Sequence, residues 1–190
     1  MDFIFDFETL SVSRHNCVVV NLATLVFDPA RFKSDQPYQF SELVESCTLI
    51  KFDIKEQREK FGRIIDASTL QWWKELPKEV GSQLLPTSDD VSITELPNLL
   101  RDDNYDTVWS RGNTFDPIIL DYLCDDINSD HLFKFWKVKD TRSFIDGLLY
   151  GANIKNSFMP DDLDIPFKHH DPAHDVAVDV MRMQTIIKHL

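Results

Sequence analysis

The first ten residues constrain the fold more than any other stretch. Phe3, Ile4 and Phe5 form the short apolar run of a strand buried on both faces. That run delivers Asp6 and Glu8 at its C-terminal end. Residues two apart on a strand point the same way, so the two carboxylates face one spot, where they repel each other unless a cation lies between them. Hard divalent cations take such oxygen ligands. Asp6 and Glu8 therefore read as half of a metal site.

A chain of 190 residues holds one good hydrophobic core and is short for two. Residues 1–190 are expected to form a single domain. Hydrophobic residues at 43% and aromatics at 12% fit a packed globular domain. No apolar run reaches the roughly 18–20 residues of a membrane span, and the N-terminus lacks the basic region of a signal peptide. Three scattered cysteines, Cys17, Cys47 and Cys124, suit a reducing compartment. A cytoplasmic protein is expected. The net charge of −12 is unlike that of a duplex binder, but an acidic chain can handle a phosphodiester when metals mediate the contact. Such a chain grips a strand end rather than a long duplex.

Further along, Cys17 to Phe27 is β-rich, and Gln39 to Phe52 reads as another strand, so the first three strands form an antiparallel meander. Lys51 to Arg63 is a mixed-charge helical face. Asp66 caps a helix carrying Trp72 and Trp73. Pro77 and Pro86 punctuate a short helical pair, and Val91 to Asp103 reads as a helix. Tyr105 to Ser110 and Trp136 to Lys139 are short strands, each followed by a helix. Pro117 suits a first helical position, which makes Asp116 the N-cap. Ala152 to Lys168 is linker-like, and Pro172 opens a last helix whose stripe Val176, Val180, Met183 and Ile187 faces the core. The pattern describes an α/β fold of about five strands in a mixed sheet with helices on both faces. Ligands of such sheets sit at the C-terminal strand ends.

Two further acids complete the set. Asp116 stands where a strand has ended and a helix begins. His170 precedes the last helix, and Asp175 falls in its first turn. Taken singly, these are a capping residue, a loop histidine and an acid favoured by the helix dipole. Together with Asp6 and Glu8 they form an ordered set at the chain's start, middle and end.

This arrangement resembles the DnaQ-like 3′–5′ exonucleases that carry a D-E-D-D carboxylate set and an associated histidine. The motifs stand as Asp6-Phe7-Glu8-Thr9, Asn113-Thr114-Phe115-Asp116, and His170 with Asp175 followed by Ala177. The stretches Thr69-Leu70-Gln71-Trp72-Trp73, Lys134-Phe135-Trp136, Asp140-x-Arg142 and His169-His170-Asp171 look most like the branch found in tailed bacteriophages. One departure is the missing glycine after Thr9, where many relatives carry T-x-G.

The resemblance implies an RNase H-like fold and a phosphodiester hydrolase. It implies two Mg²⁺ ions (Mn²⁺ a possible substitute) held by Asp6, Glu8, Asp116 and Asp175, with His170 taking the proton from the attacking water. The expected partner is the 3′ end of single-stranded nucleic acid, DNA favoured and RNA the alternative. Leu10, Phe115 and one of Trp72 or Trp73 are candidates to hold the terminal base. Arg111, Lys139 and Arg142 are candidates for phosphate, and Thr9 and Asn113 join the substrate-binding set from their motifs.

His174 with Asp179 repeats the His-x4-Asp spacing in a second frame. The position of Pro172 favours His170 and Asp175, because His174 is then already on the helix. Rival readings are a zinc hydrolase using His170 and His174, an internally cutting ribonuclease-H-type enzyme, and a non-catalytic module that binds nucleic acid or a replication partner. No H-E-x-x-H is present, and all four acids and the histidine are retained.

Overall fold

The computed structural model describes residues 1–100 and 104–190. Five strands form one sheet in the order β3-β2-β1-β4-β5. They are β1 (Asp2–Thr9), β2 (Val19–Phe27), β3 (Thr48–Lys51), β4 (Thr107–Ser110) and β5 (Val138–Asp140). The first three strands are antiparallel neighbours, while β4 lies parallel to β1 and β5 parallel to β4. With helices on both faces, this is the expected mixed, RNase H-like sheet, and β1 is its centre.

The helices are α1 (Phe40–Ser46), α2 (Ile54–Phe61), α3 (Ala67–Glu75), α4 (Lys78–Gly81), α5 (Leu96–Leu100), α6 (Asp116–Asp126), α7 (Thr141–Leu148) and α8 (Pro172–Lys188). Alternation along β1 divides the core. Phe3, Phe5 and Phe7 pack with Leu96 and Leu100 of α5 and with Ile119, Leu120 and Leu123 of α6. Ile4 packs on the other face with Val176, Ala177 and Val180 of α8. Period-2 geometry then sends Asp6 and Glu8 to the α8 side, which is why the acids meet the last helix.

Several elements differ from the sequence reading. Gln39 to Phe52 is not one strand: Phe40–Ser46 is helical, anchored by buried Phe40 and Leu43, and only Thr48–Lys51 is strand. The last strand is Val138–Asp140, so Trp136 precedes it and is exposed. Between Val91 and Leu100 there is a 3-10 turn at Ile93–Glu95 and the short α5, since Pro97 suits only an opening turn. The expected end of that helix at Asp103 lies outside the described residues. Asp116 is the first residue of α6 rather than its cap, a position taken by Phe115. Among the described residues, no helix is long and apolar enough to cross a membrane.

Candidate active site

At the C-terminal end of β1 a cavity of about 450 Å³ opens between the sheet rim, α6 and α8. Asp6, Glu8, Asp116 and Asp175 all line it, and so do Phe115, Arg111 and Arg142. The sheet delivers the first pair, and the connection after β4 delivers Asp116. Its carboxylate is buried, and Oδ1 accepts a 3.1 Å hydrogen bond from the backbone N–H of Phe7. Asp175 sits in the first turn of α8, which Asp171 caps by accepting from the N–H groups of Ala173 and His174.

The electrostatics are those of crowded, desolvated acids. Burial pushes Asp6 well above the usual carboxylate range, and the charges of Asp116, Glu8 and Asp175 push it further. Burial raises Glu8 to about 8, with Asp175 and Asp116 adding to the effect. Asp116 is raised to about 7 by burial, against the opposing Phe7 hydrogen bond and the Arg142 charge. Asp175 is raised to about 7 by burial and by Asp179. Three arginines, Arg111, Arg142 and Arg182, reach the wall. Two of them are engaged elsewhere: Asp179 binds Arg111 at 2.7 Å and Arg182 at 2.6 Å. Arg142 is the arginine whose charge bears on Asp116.

A hard divalent cation suits this donor set, because four buried carboxylates facing one cavity gain most from a cation among them. Among the described residues, no three of His, Cys, Asp and Glu are drawn together as a finished metal cage. The match is thus one of chemistry and cavity rather than of closed coordination geometry.

The two histidine frames are placed differently. His174 is buried on α8 against Phe40 and Phe167, and its Nδ1 accepts from the Lys168 N–H at 3.3 Å. Its partner in spacing, Asp179, is buried and bound to Thr141 as well as to the two arginines. Both residues serve the fold. His170 is exposed on the loop before α8, in a left-handed conformation (φ 61°) uncommon outside glycine. Its ring packs edge-on against Trp72 at 4.9 Å, and His169, not His170, lines the cavity. Burial and the neighbouring His169 hold the His170 imidazole below its ordinary pKa.

Several substrate candidates fall away from the cavity. Trp73 is fully buried, with its indole N–H donating to the Thr9 carbonyl at 2.9 Å. Leu10 is buried beside it with Val18 and Val20. Both are buried off the cavity, Trp73 because the helix that exposes Trp72 turns it inward. Trp72 is partly exposed but covered on one side by His170. The Thr9 hydroxyl donates to the Ser11 carbonyl. Asn113 lines a neighbouring cavity. Arg111, expected to meet phosphate, is instead pinned by Asp179 and Asn156. Lys139 is exposed on β5 and does not line the cavity.

Sequence reasoning missed Ser157, Met159 and Phe167, which reach the cavity from the segment read as a linker. It missed Arg182 too, although its position seven residues after Asp175 puts the two on one helix face.

Residues 1–187 match the 3′–5′ exoribonuclease Rv2179c-like domain. The exodeoxyribonuclease of Enterobacteria phage T4 is 32% identical over 209 aligned positions, covering 99% of this chain and 89% of that protein. Among solved structures, exonuclease I from Methylocaldum szegediense superposes with a TM-score of 0.64 at 10% identity over 99% of this chain. A zinc-bound complex of E. coli exonuclease I with single-stranded DNA gives a TM-score of 0.58 at 12% identity over 98% of it. The chain spans about two fifths of the length of these two, 40% and 39%. They establish the fold.

Proposed function

We propose that this chain, which belongs to the 3′–5′ exoribonuclease Rv2179c-like domain family and is a 3′–5′ exonuclease of the DnaQ-like type, trims single-stranded DNA from its 3′ end to nucleoside 5′-monophosphates. Asp6, Glu8, Asp116 and Asp175 would hold two divalent cations, Mg²⁺ by preference. The observation that carries the reading is the gathering of these four acids, from three separate parts of the chain, in one cavity.

Two such ions supply an activated water and stabilise the departing 3′ oxygen when bound. The protein's own groups do the rest. The Phe7 N–H holds the Asp116 carboxylate at its post. Phe115, at the mouth of α6, offers an apolar surface to the terminal nucleotide, and Arg142 offers its guanidinium to a phosphate oxygen. His170, poised on the loop that enters α8, accepts the proton of the attacking water once its ring leaves Trp72 and turns inward. The structural duties of His174 and Asp179 support this frame over the alternative.

DNA is preferred because the phage relative, similar over nearly both full lengths, is an exodeoxyribonuclease. RNA is the second reading, because the domain description names an exoribonuclease. Single-turnover rates on DNA and RNA 12-mers of one sequence separate them. DNA should react at least ten-fold faster, and the reverse order would replace the substrate while leaving the site intact.

A further inference from the structure

A second cavity, of about 600 Å³, lies on the other side of the turn that carries Asp116. Its floor is Phe5, and its walls are Asn113, Pro117 and Ile118 on one side and the 131–138 segment on the other. Phe115 and Asp116 face the catalytic cavity while Asn113 and Pro117 face this one. One turn of chain therefore separates the two.

The far wall is unusual for a surface segment. Phe135 is 83% exposed and Trp136 is 57% exposed, side by side with ring centroids 5.0 Å apart. The Lys134 ammonium lies 5.8 Å from the centre of the Trp136 ring. These residues are displayed by a fixed support. Phe133 packs on Phe3 and Phe5 in the core, and the Lys137 and Val138 N–H groups donate to the carbonyls of Lys134 and Phe135. The fold thus holds two large aromatics and a cation out toward water, where a monomer gains nothing from them.

We propose that Lys134, Phe135 and Trp136 form a shelf for the single strand upstream of the reacting 3′ end, with a base stacked on Trp136 and the Lys134 ammonium beside its phosphate. The inference rests on the exonuclease reading above and extends its binding site beyond the terminal nucleotide. Stacking on an aromatic face with a cation alongside binds any base, as a non-selective exonuclease needs. The opposite wall carries Asp121, but His131 stands between Asp121 and Asp125, at 3.4 and 3.5 Å. The acidic charge is thereby grouped on the α6 side, away from the Lys134 side. Continuity with the catalytic cavity favours nucleic acid over a protein partner as the occupant.

The test compares thymidylate dinucleotide with the 12-mer in wild type, Trp136→Ala and Trp136→Phe. The wild type should show a lower KM for the 12-mer, and Trp136→Ala should shrink that length advantage about ten-fold, in line with the loss of one stacked base. Trp136→Phe should restore most of it. Affinity for the 12-mer, measured by fluorescence anisotropy in Ca²⁺, should fall in parallel. An unchanged length advantage and an unchanged affinity in Trp136→Ala would overturn the shelf. So would a change of oligomeric state on sedimentation with the length advantage intact, which would make the patch a protein interface. If the wild type cleaves neither substrate, the exonuclease reading fails on its own, and the anisotropy series still decides the shelf.

Discussion

The Asp116 carboxylate accepts a hydrogen bond from the N–H of Phe7, the residue that separates Asp6 from Glu8. This bond ties the start of α6 to the end of β1 and fixes the third acid against the first two. Its donor is backbone, so it survives side-chain substitution at Phe7. It also lowers the cost of keeping Asp116 ionised, against a burial that raises its pKa to about 7.

Asp6→Asn, Glu8→Gln, Asp116→Asn and Asp175→Asn should each abolish nearly all turnover while leaving the protein folded. Groups that act as a unit lose function non-additively, so double variants should be little worse than single ones. Without metal, each variant should melt at the wild-type temperature or above, because it removes a repelled charge. Initial rates at saturating Mg²⁺ and thermal melts in EDTA check both halves. A variant keeping more than a tenth of the wild-type rate removes that residue from the site.

The raised acids also set a pH dependence for the metal-free protein. Their folded pKa values, about 8 for Glu8 and about 7 for Asp116 and Asp175, lie above those of the unfolded chain. The native state then binds more protons than the unfolded state between about pH 4 and those values. The contribution to stability is complete below about pH 4 and is lost as pH rises through about 7 to 8. Melting temperature in EDTA should fall from pH 5 to pH 8.5 and fall less in Asp6→Asn. Mg²⁺ should raise it more at pH 8 than at pH 5. A curve that rises over this window contradicts the account.

His170→Ala should lower the rate about 10²–10⁴-fold, the usual loss for a general base, with little change in stability, since the side chain is exposed. His174→Ala should do the opposite, because His174 is buried against Phe40 and Phe167. Its melting temperature should drop while the folded fraction keeps most of its rate. Exchange of the two phenotypes would move the catalytic frame to His174 and Asp179.

Asp179 neutralises Arg111 and Arg182 from a buried position. Asp179→Asn should therefore cost about 3–5 kcal/mol of stability, as breaking a buried ion pair does. Arg142→Ala should instead spare stability and reduce kcat/KM roughly 10–100-fold, since hydrogen bonds to charged groups contribute about 1.5–3 kcal/mol. Denaturant melts and steady-state kinetics separate the two roles.

How far the sequence carried the site follows from the periods of its elements. Alternation along Phe3-Ile4-Phe5-Asp6-Phe7-Glu8 was enough to put both acids on one face, and Pro172 was enough to mark where α8 begins. The substrate contacts were less legible. Trp72 and Trp73 are equivalent in sequence, and only the packing of α3 shows that Trp73 is in the core and bound to Thr9. Arg111 looked available for phosphate because its partner, Asp179, is 68 residues away. The 152–168 segment lacks any period, so nothing in it announced that Met159 and Phe167 would reach the cavity.

The central claim is that the four-acid cavity releases mononucleotides from a free 3′ hydroxyl with divalent metal. Chromatography of the earliest products from a uniformly labelled single strand, with Mg²⁺ and with EDTA, in wild type and Asp6→Asn, tests it most directly. The account predicts nucleoside 5′-monophosphates from the wild type with Mg²⁺ alone, and none when the 3′ end is blocked. Internal fragments, or equal cleavage in EDTA or by Asp6→Asn, would contradict it.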